Sequence, residues 1–191
     1  GCLIDVPEGE AEKVDLWDEG ALSFQATGQT CTRFRRTGAL RAGQDVELGK
    51  MYWQVLSSPG HDAQSVVLFQ ETLGLLISAD ALWHSGLGVL FPELGGEEGF
   101  KDARSTVEML ATLPVHWVIP GHGAAFEDIS GAIERARTRI ARFCDDPVHH
   151  AKHAAKVLLK FHLLEIQHES RRSLFLWART TPYLAKIHAT H

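Results

Sequence analysis

Apolar and polar positions follow two regimes along this chain: short strand-like runs up to residue 123, then helical periodicity from residue 126 onward. The run Cys2 to Val6 stops at Pro7 and predicts a strand feeding a helix start, with Pro7 early in the helix and Glu8, Glu10 and Glu12 in its first turns. Leu40 to Gln54 reads as a β-hairpin with Gly49-Lys50 at its turn. Met51 to Leu56, Ser65 to Gln70, Leu73 to Ser78 and Val115 to Ile119 are predicted strands. Leu73 to Ser78 is continuously apolar, which predicts burial on both faces, and Val115 to Ile119 is expected to be a buried strand too. A Gly-rich loop, Ser85 to Gly99, precedes an amphipathic helix over Phe100 to Leu113, with Val107, Leu110 and Leu113 on one side. Further helices are predicted over Ile129 to Cys144, Val148 to Gln167 and Ser173 to His188, the last broken or started near Pro182. Strands and helices mixed in this order indicate an α/β layered fold.

Composition narrows the class. Of 191 residues, 45% are hydrophobic and 23% charged, which excludes disordered, collagen-like and coiled-coil chains. The net charge of -5 provides no electrostatic footprint for nucleic acid or an anionic membrane. No apolar run approaches the roughly 20 residues of a spanning helix, and Gly1 to Glu10 lacks the basic and apolar regions of a signal peptide. Cys2, Cys31 and Cys144 form no CxxC pair and are odd in number, so three free thiols and a cytoplasmic location are expected.

The candidate chemistry lies at strand ends. His61 follows one predicted strand in Ser58-Pro59-Gly60-His61, Asp80 follows another in Ser78-Ala79-Asp80, and His122 follows a third in Pro120-Gly121-His122-Gly123. Layered α/β folds gather such ends on one sheet edge. Two imidazoles and a carboxylate suit Zn²⁺, and also Mn²⁺ or Fe²⁺. Spacings of 19 and 42 residues have little specificity, so the residues alone fit both a metal site and two loop histidines with a helix-capping Asp.

The wider motifs carry a resemblance. Leu56 to Ser65 resembles the metallo-β-lactamase signature in which Pro-Gly-His precedes a Ser and a strand. Leu76 to Leu82 resembles that family's strand ending in a metal-bridging Asp, and Val118 to Gly123 resembles its last ligand motif. The three stand in family order over roughly Leu40 to Gly123, and the helices after Phe126 are similar to the family's C-terminal extensions. The resemblance implies an αββα sandwich, here its C-terminal half, followed by a helical extension. It divides the chain into an N-terminally incomplete metallo-β-lactamase-like domain, residues 1–128, and a helical region, residues 129–191. It further implies that His61 binds one metal, Asp80 bridges two and His122 binds the other, zinc being expected. The implied activity is hydrolysis of an ester, thioester or lactone-type small molecule by a metal-bound hydroxide. One departure stands out: the family's His-x-His-x-Asp-His motif lies upstream of the position of His61, and here His61 is the first His of eleven. The chain therefore resembles the portion after that motif and is expected to be a truncated part of a longer protein, inactive alone. The alternative is a non-catalytic interaction module, with a homodimer formed through the C-terminal helices.

Other residues have lesser claims. Trp83 and His84, just past Asp80, are candidate substrate contacts, and Phe91 and Glu93 candidate pocket walls. His116 is expected to be a satisfied core or edge residue. His149 and His153, four apart, could share a helix face, but no acidic third ligand recurs at that spacing, so His149, His150 and His153 are expected at a solvated helix N-terminus. The Arg135 to Arg142 series is expected on a solvated surface.

Overall fold

The computed structural model describes residues 2–91 and 98–190. Strand β1 (Asp5–Pro7) pairs in parallel with β2 (Gly38–Leu40) as a small separate sheet. The strand is thus shifted from the expected Cys2–Val6. Pro7 keeps an extended backbone (φ -52°, ψ 138°), and the first α-helix, α1 (Ala11–Leu16), begins only after a 3-10 turn over Glu8–Glu10. A short α2 (Phe24–Thr27) follows.

The main sheet has five strands in sequence order: β3 (Asp45–Leu48), β4 (Met51–Ser57), β5 (Val66–Gln70), β6 (Leu75–Ala79) and β7 (Trp117–Pro120). The β3–β4 hairpin turns at Gly49 and Lys50, both with positive φ (63° and 62°), as a two-residue turn matched to strand twist demands. Neighbours run antiparallel up to β6, whereas β6 and β7 are parallel. A parallel pair needs a long crossover, and α3 (Glu98–Ala111) lies in it. Four helices complete the chain's described part: α4 (Ile129–Asp145), α5 (Pro147–Ile166), α6 (Arg171–Thr180) and α7 (Pro182–Thr190). Local chemistry sets their starts. Asp128 accepts from the Gly131 amide, Asp146 from the His149 amide ahead of Pro147, and Ser170 from the Ser173 amide.

Strand alternation sorts the sheet into two faces. Val67, Phe69, Leu76 and Val118 point to one side and share a core with Ala103, Val107 and Leu110 of α3 and Ala132, Ile133, Ala136 and Ile140 of α4. A second core joins Val89 to Ala151, Ala154 and Leu158 of α5 and Tyr183, Leu184 and Ile187 of α7. The opposite sheet face, with Leu68, Ile77 and Ile119 in register across three strands, is only partly covered: Trp117 and Ile119 are 42% and 43% exposed. Burial of β6 on both faces, and of β7 as a buried strand, does not hold. Helices α3 and α4 cover one face, and a strand's apolar pattern does not reveal whether a second layer exists beside it. Of the two places expected for His116, core or edge, it takes the edge: it is exposed at the entry to β7, the last strand of the sheet, with its amide on Gly74 O.

Candidate metal and substrate site

The loop after β4 carries His61 and lies hard against α3. Gly60 makes this possible: its φ is +146°, and a Cβ there would stand 2.8 Å from the Ala103 Cα. Thr106 of α3 fastens the same loop, its hydroxyl donating to the Pro59 carbonyl at 2.7 Å. At the end of β6 the pairing with β7 slips between Ile77 and Ala79, a bulge with Ala79 at φ 45°. Such a slip re-aims the chain at a sheet end, and Asp80 is the next residue. The buried Ser78 hydroxyl steadies the turn by donating to Leu82 O at 2.6 Å. His122 stands two residues beyond the end of β7.

These three side chains meet. His61 Nε2 lies 3.4 Å from Asp80 Oδ2, and His122 Nε2 lies 3.7 Å from Asp80 Oδ1. Each imidazole faces a different carboxylate oxygen, so Asp80 stands between them. Both distances exceed hydrogen-bonding range. On its other side the His61 ring is fixed by Nδ1, 2.5 Å from Val89 O. A carbonyl only accepts, so Nδ1 carries the proton, which leaves Nε2 as the nitrogen that can turn a lone pair toward Asp80. Two electron-rich atoms facing one another at this spacing suit a shared cation. Ligands about 2.0–2.2 Å from a tetrahedral ion lie roughly 3.3–3.6 Å apart. A ligating His whose other nitrogen donates to a backbone carbonyl is also the usual outer support of a metal site. Among the described residues, no group of three or more His, Cys, Asp or Glu side chains is placed so as to hold a metal ion. The pairings are His61–Asp80 and Asp80–His122, one per carboxylate oxygen.

Trp83 belongs to the same constellation. Its indole N–H donates to Asp80 Oδ1 at 3.1 Å, and its ring stands edge-on to His122 at 5.0 Å. His84 turns elsewhere: it is exposed and packs edge-on against Phe126. A cavity of about 910 Å³ opens beside the three residues and is lined also by Trp83 and Phe91, but not by His84. That volume is within the usual range of small-molecule sites. Glu93 lies outside the described residues.

Several cavity residues escape sequence reasoning. Lys13, with its partner Glu10 at 2.7 Å, comes from the first helical turns. Arg139, His153, Lys160 and Phe161 come from α4 and α5. The arginine series does not simply face solvent. Arg135 donates to His84 O, and Arg139 donates to Ser85 O and Leu87 O at 2.7 and 3.0 Å. The two are four residues apart on one helix face, and that spacing is the signal the sequence offers. Arg137, off that face, pairs with Glu108 of α3. The three-histidine cluster also departs from a solvated helix start. His150 is 1% exposed and donates from Nε2 to Leu90 O at 2.9 Å, and His153 lines the cavity, where burial lowers its pKa. Only the inward side of the helix start is covered, where the loop ending near Leu90 lies against His150; Pro147 and Val148 stay exposed.

No protein-family model matches the sequence, and no curated protein matches it. Solved structures do. A metallo-beta-lactamase family protein from Thermus thermophilus matches over 100% of this chain and 67% of its own, with a TM-score of 0.56 and 20% identity. A beta-lactamase domain protein from Burkholderia ambifaria matches 75% of this chain and 47% of its own, with a TM-score of 0.58 and 21% identity. The fold is that of the metallo-β-lactamases. BLEG-1 B3 metallo-beta-lactamase agrees, with a TM-score of 0.54 at 21% identity over 69% of this chain and 62% of its own. At such identities the likeness to metallo-β-lactamases is one of fold. The chain spans 47% to 67% of the length of these metallo-β-lactamase-fold structures.

Proposed function

We propose that this chain forms the part of a metal-dependent hydrolase that holds His61, Asp80 and His122 as metal ligands beside a small-molecule cavity. The observation that carries the reading is the placement of one imidazole nitrogen against each Asp80 oxygen, at 3.4 and 3.7 Å, with the His61 ring already turned by its bond to Val89 O. A divalent ion held there, zinc by preference, lowers the pKa of water and polarises a carbonyl oxygen. The protein's own residues do the rest. His61 and Asp80 keep their lone pairs directed, Trp83 donates to Asp80 Oδ1, and Val89, Phe91 and Phe161 give the cavity an apolar wall. The reading names an ester, thioester or lactone carbonyl as substrate, and it assigns the remaining ligands and the full activity to residues beyond His61, Asp80 and His122. The test is metal content of the purified chain by atomic emission. One or more ions per chain, lost in His61→Ala and His122→Ala, is expected. A chain that takes up no zinc, manganese or iron after dialysis against each would refute it.

A second reading, an interaction module, draws on the exposed Leu164, Phe175 and Leu176 of α5 and α6. It takes these helices as a homodimer surface. Sedimentation of the chain and of Phe175→Ser decides between a dimer dissolved by the substitution and a monomer throughout.

A further inference from the structure

The net charge of -5 conceals a segregation of sign along the chain. Residues 171–191 carry Arg171, Arg172, Arg179 and Lys186 with no Asp or Glu, so all 24 acidic residues lie before them, against 15 Lys and Arg. Charge asymmetry of this kind points to an anionic partner. Pairing sharpens the contrast. Arg36, Arg41, Arg135 and Arg137 each meet a carboxylate, of Asp15, Glu8, Asp128 and Glu108. Among the described residues, Arg171, Arg172 and Arg179 meet none. The acids nearest in sequence are engaged elsewhere, Glu169 with His162 and Glu165 with the Thr30 hydroxyl. Arg171 and Arg172 also occupy the first turn of α6, where the helix dipole disfavours cations. Local helix chemistry therefore does not account for them.

Helix α6 has an inward and an outward face. Trp177 and Ala178 pack on the second core. Arg172, Phe175, Leu176 and Arg179 follow one another at i, i+3, i+4 and i+7, a single helical stripe. All four are exposed, Phe175 by 61% and Leu176 by 52%. The Arg179 guanidinium stands 5.8 Å from the Phe175 ring centre. The stripe thus holds two large apolar side chains with a cation at each end. A symmetric second copy, the occupant in the interaction-module reading, would set the arginines of two such stripes against each other, because an isologous contact faces a patch with itself. A globular partner of standard size buries about 800 Å² on each side, more than one convex helix of ten residues, roughly 15 Å long, presents. A bilayer needs no groove. Its acyl boundary takes up Phe and Leu side chains while headgroup phosphates meet the flanking arginines.

We propose that α6 is a peripheral docking surface for a bilayer carrying anionic lipid, lying in the interface plane with Phe175 and Leu176 at the acyl boundary and Arg171, Arg172 and Arg179 among the headgroup phosphates. No described helix is long and apolar enough to cross a membrane, so the contact is one of surface. The inference is independent of the hydrolase reading, and a chain that binds no metal leaves it standing. The test is co-sedimentation of the purified chain with vesicles of phosphatidylcholine alone and of equimolar phosphatidylcholine and phosphatidylserine. Each arginine at an anionic surface adds about fivefold to binding, and the acidic remainder of the chain opposes part of that gain. A preference of about tenfold or more for the anionic vesicles is expected at low salt, and high salt erases it. Arg172→Glu, at an exposed position, lowers binding to the anionic vesicles about tenfold. Lys101→Glu, the same charge change at an exposed position of α3, alters it by less than about twofold. Phe175→Ser weakens it several-fold by removing the apolar contact. Equal binding to both vesicles, binding to neither, or a preference that survives in Arg172→Glu overturns the proposal. So does a chain that binds a DNA duplex but no vesicle, or a dimer dissolved by Phe175→Ser that leaves vesicles unbound, since the stripe then belongs to nucleic acid or to a second copy.

Discussion

Gly60→Ala tests how the His61 loop is held. The backbone at residue 60 has φ +146°, a region that L side chains rarely adopt, and holding a residue there costs on the order of 1–3 kcal/mol. A new methyl would also stand 2.8 Å from the Ala103 Cα and 2.9 Å from its Cβ. Those atoms belong to a helix packed into the main core, so the loop must retreat, and overpacking of this kind costs roughly 1–3 kcal/mol more. The expected loss is therefore about 2–6 kcal/mol. Gly43→Ala is the control. Its φ is +88°, but nothing lies within 4 Å of the added carbon, so it reports strain without collision. Urea unfolding followed by tryptophan fluorescence measures both. Gly60→Ala should lower the midpoint at unchanged slope and exceed Gly43→Ala by at least about 1 kcal/mol. In thermal unfolding, about 3 kcal/mol in a chain of this length corresponds to roughly 6–12 °C. A Gly60→Ala chain within about 0.5 kcal/mol of wild type, or one no worse than Gly43→Ala, would refute the claim that the loop is pressed against α3.

Two further outcomes follow from groups described above. Burial lowers the pKa of His153 from its ordinary value of 6.5, so between that value and the lowered one the unfolded chain binds the extra proton. Stability therefore falls as pH drops below 6.5, and His153→Gln should flatten the unfolding free energy over that window while leaving it unchanged near about pH 8. At the end of α5, His162 stacks on Trp177 with ring centroids 3.8 Å apart and bonds Glu169 at 2.6 Å. His162→Ala should cost about 1–3 kcal/mol by stranding the half-buried Glu169 and change the fluorescence of Trp177. Hydrogen exchange confined to residues 160–190 would locate the loss, and an unaltered exchange pattern would argue against it.

The hairpin was legible because Gly49-Lys50 sits between two alternating runs, and the tail helices because Asp146-Pro147 and Pro182 punctuate them. His61, Asp80 and His122 were legible as strand-end residues in three separate motifs, and the fold brings all three together. Arg139 was not, since four arginines over eight positions look like solvated surface until the 84–87 loop is placed beside two of them. His150 escaped for a related reason: only the loop ending near Leu90 shields it. Trp117 and Ile119 show the converse limit, because an apolar residue on a strand signals a face that seeks cover without showing what covers it.

The segment from Asp80 to Phe91 is tied at both ends of its function. Val89 turns the His61 ring and Gly88 bonds Asp80, while Arg135, Arg139 and His150 hold the same segment from α4 and α5. The helical tail is thus a lever on the candidate ligands. A substitution in α4 that never touches the cavity can still rotate an imidazole and weaken its ligation. Selection for a new substrate could therefore act through helix packing as readily as through the cavity wall.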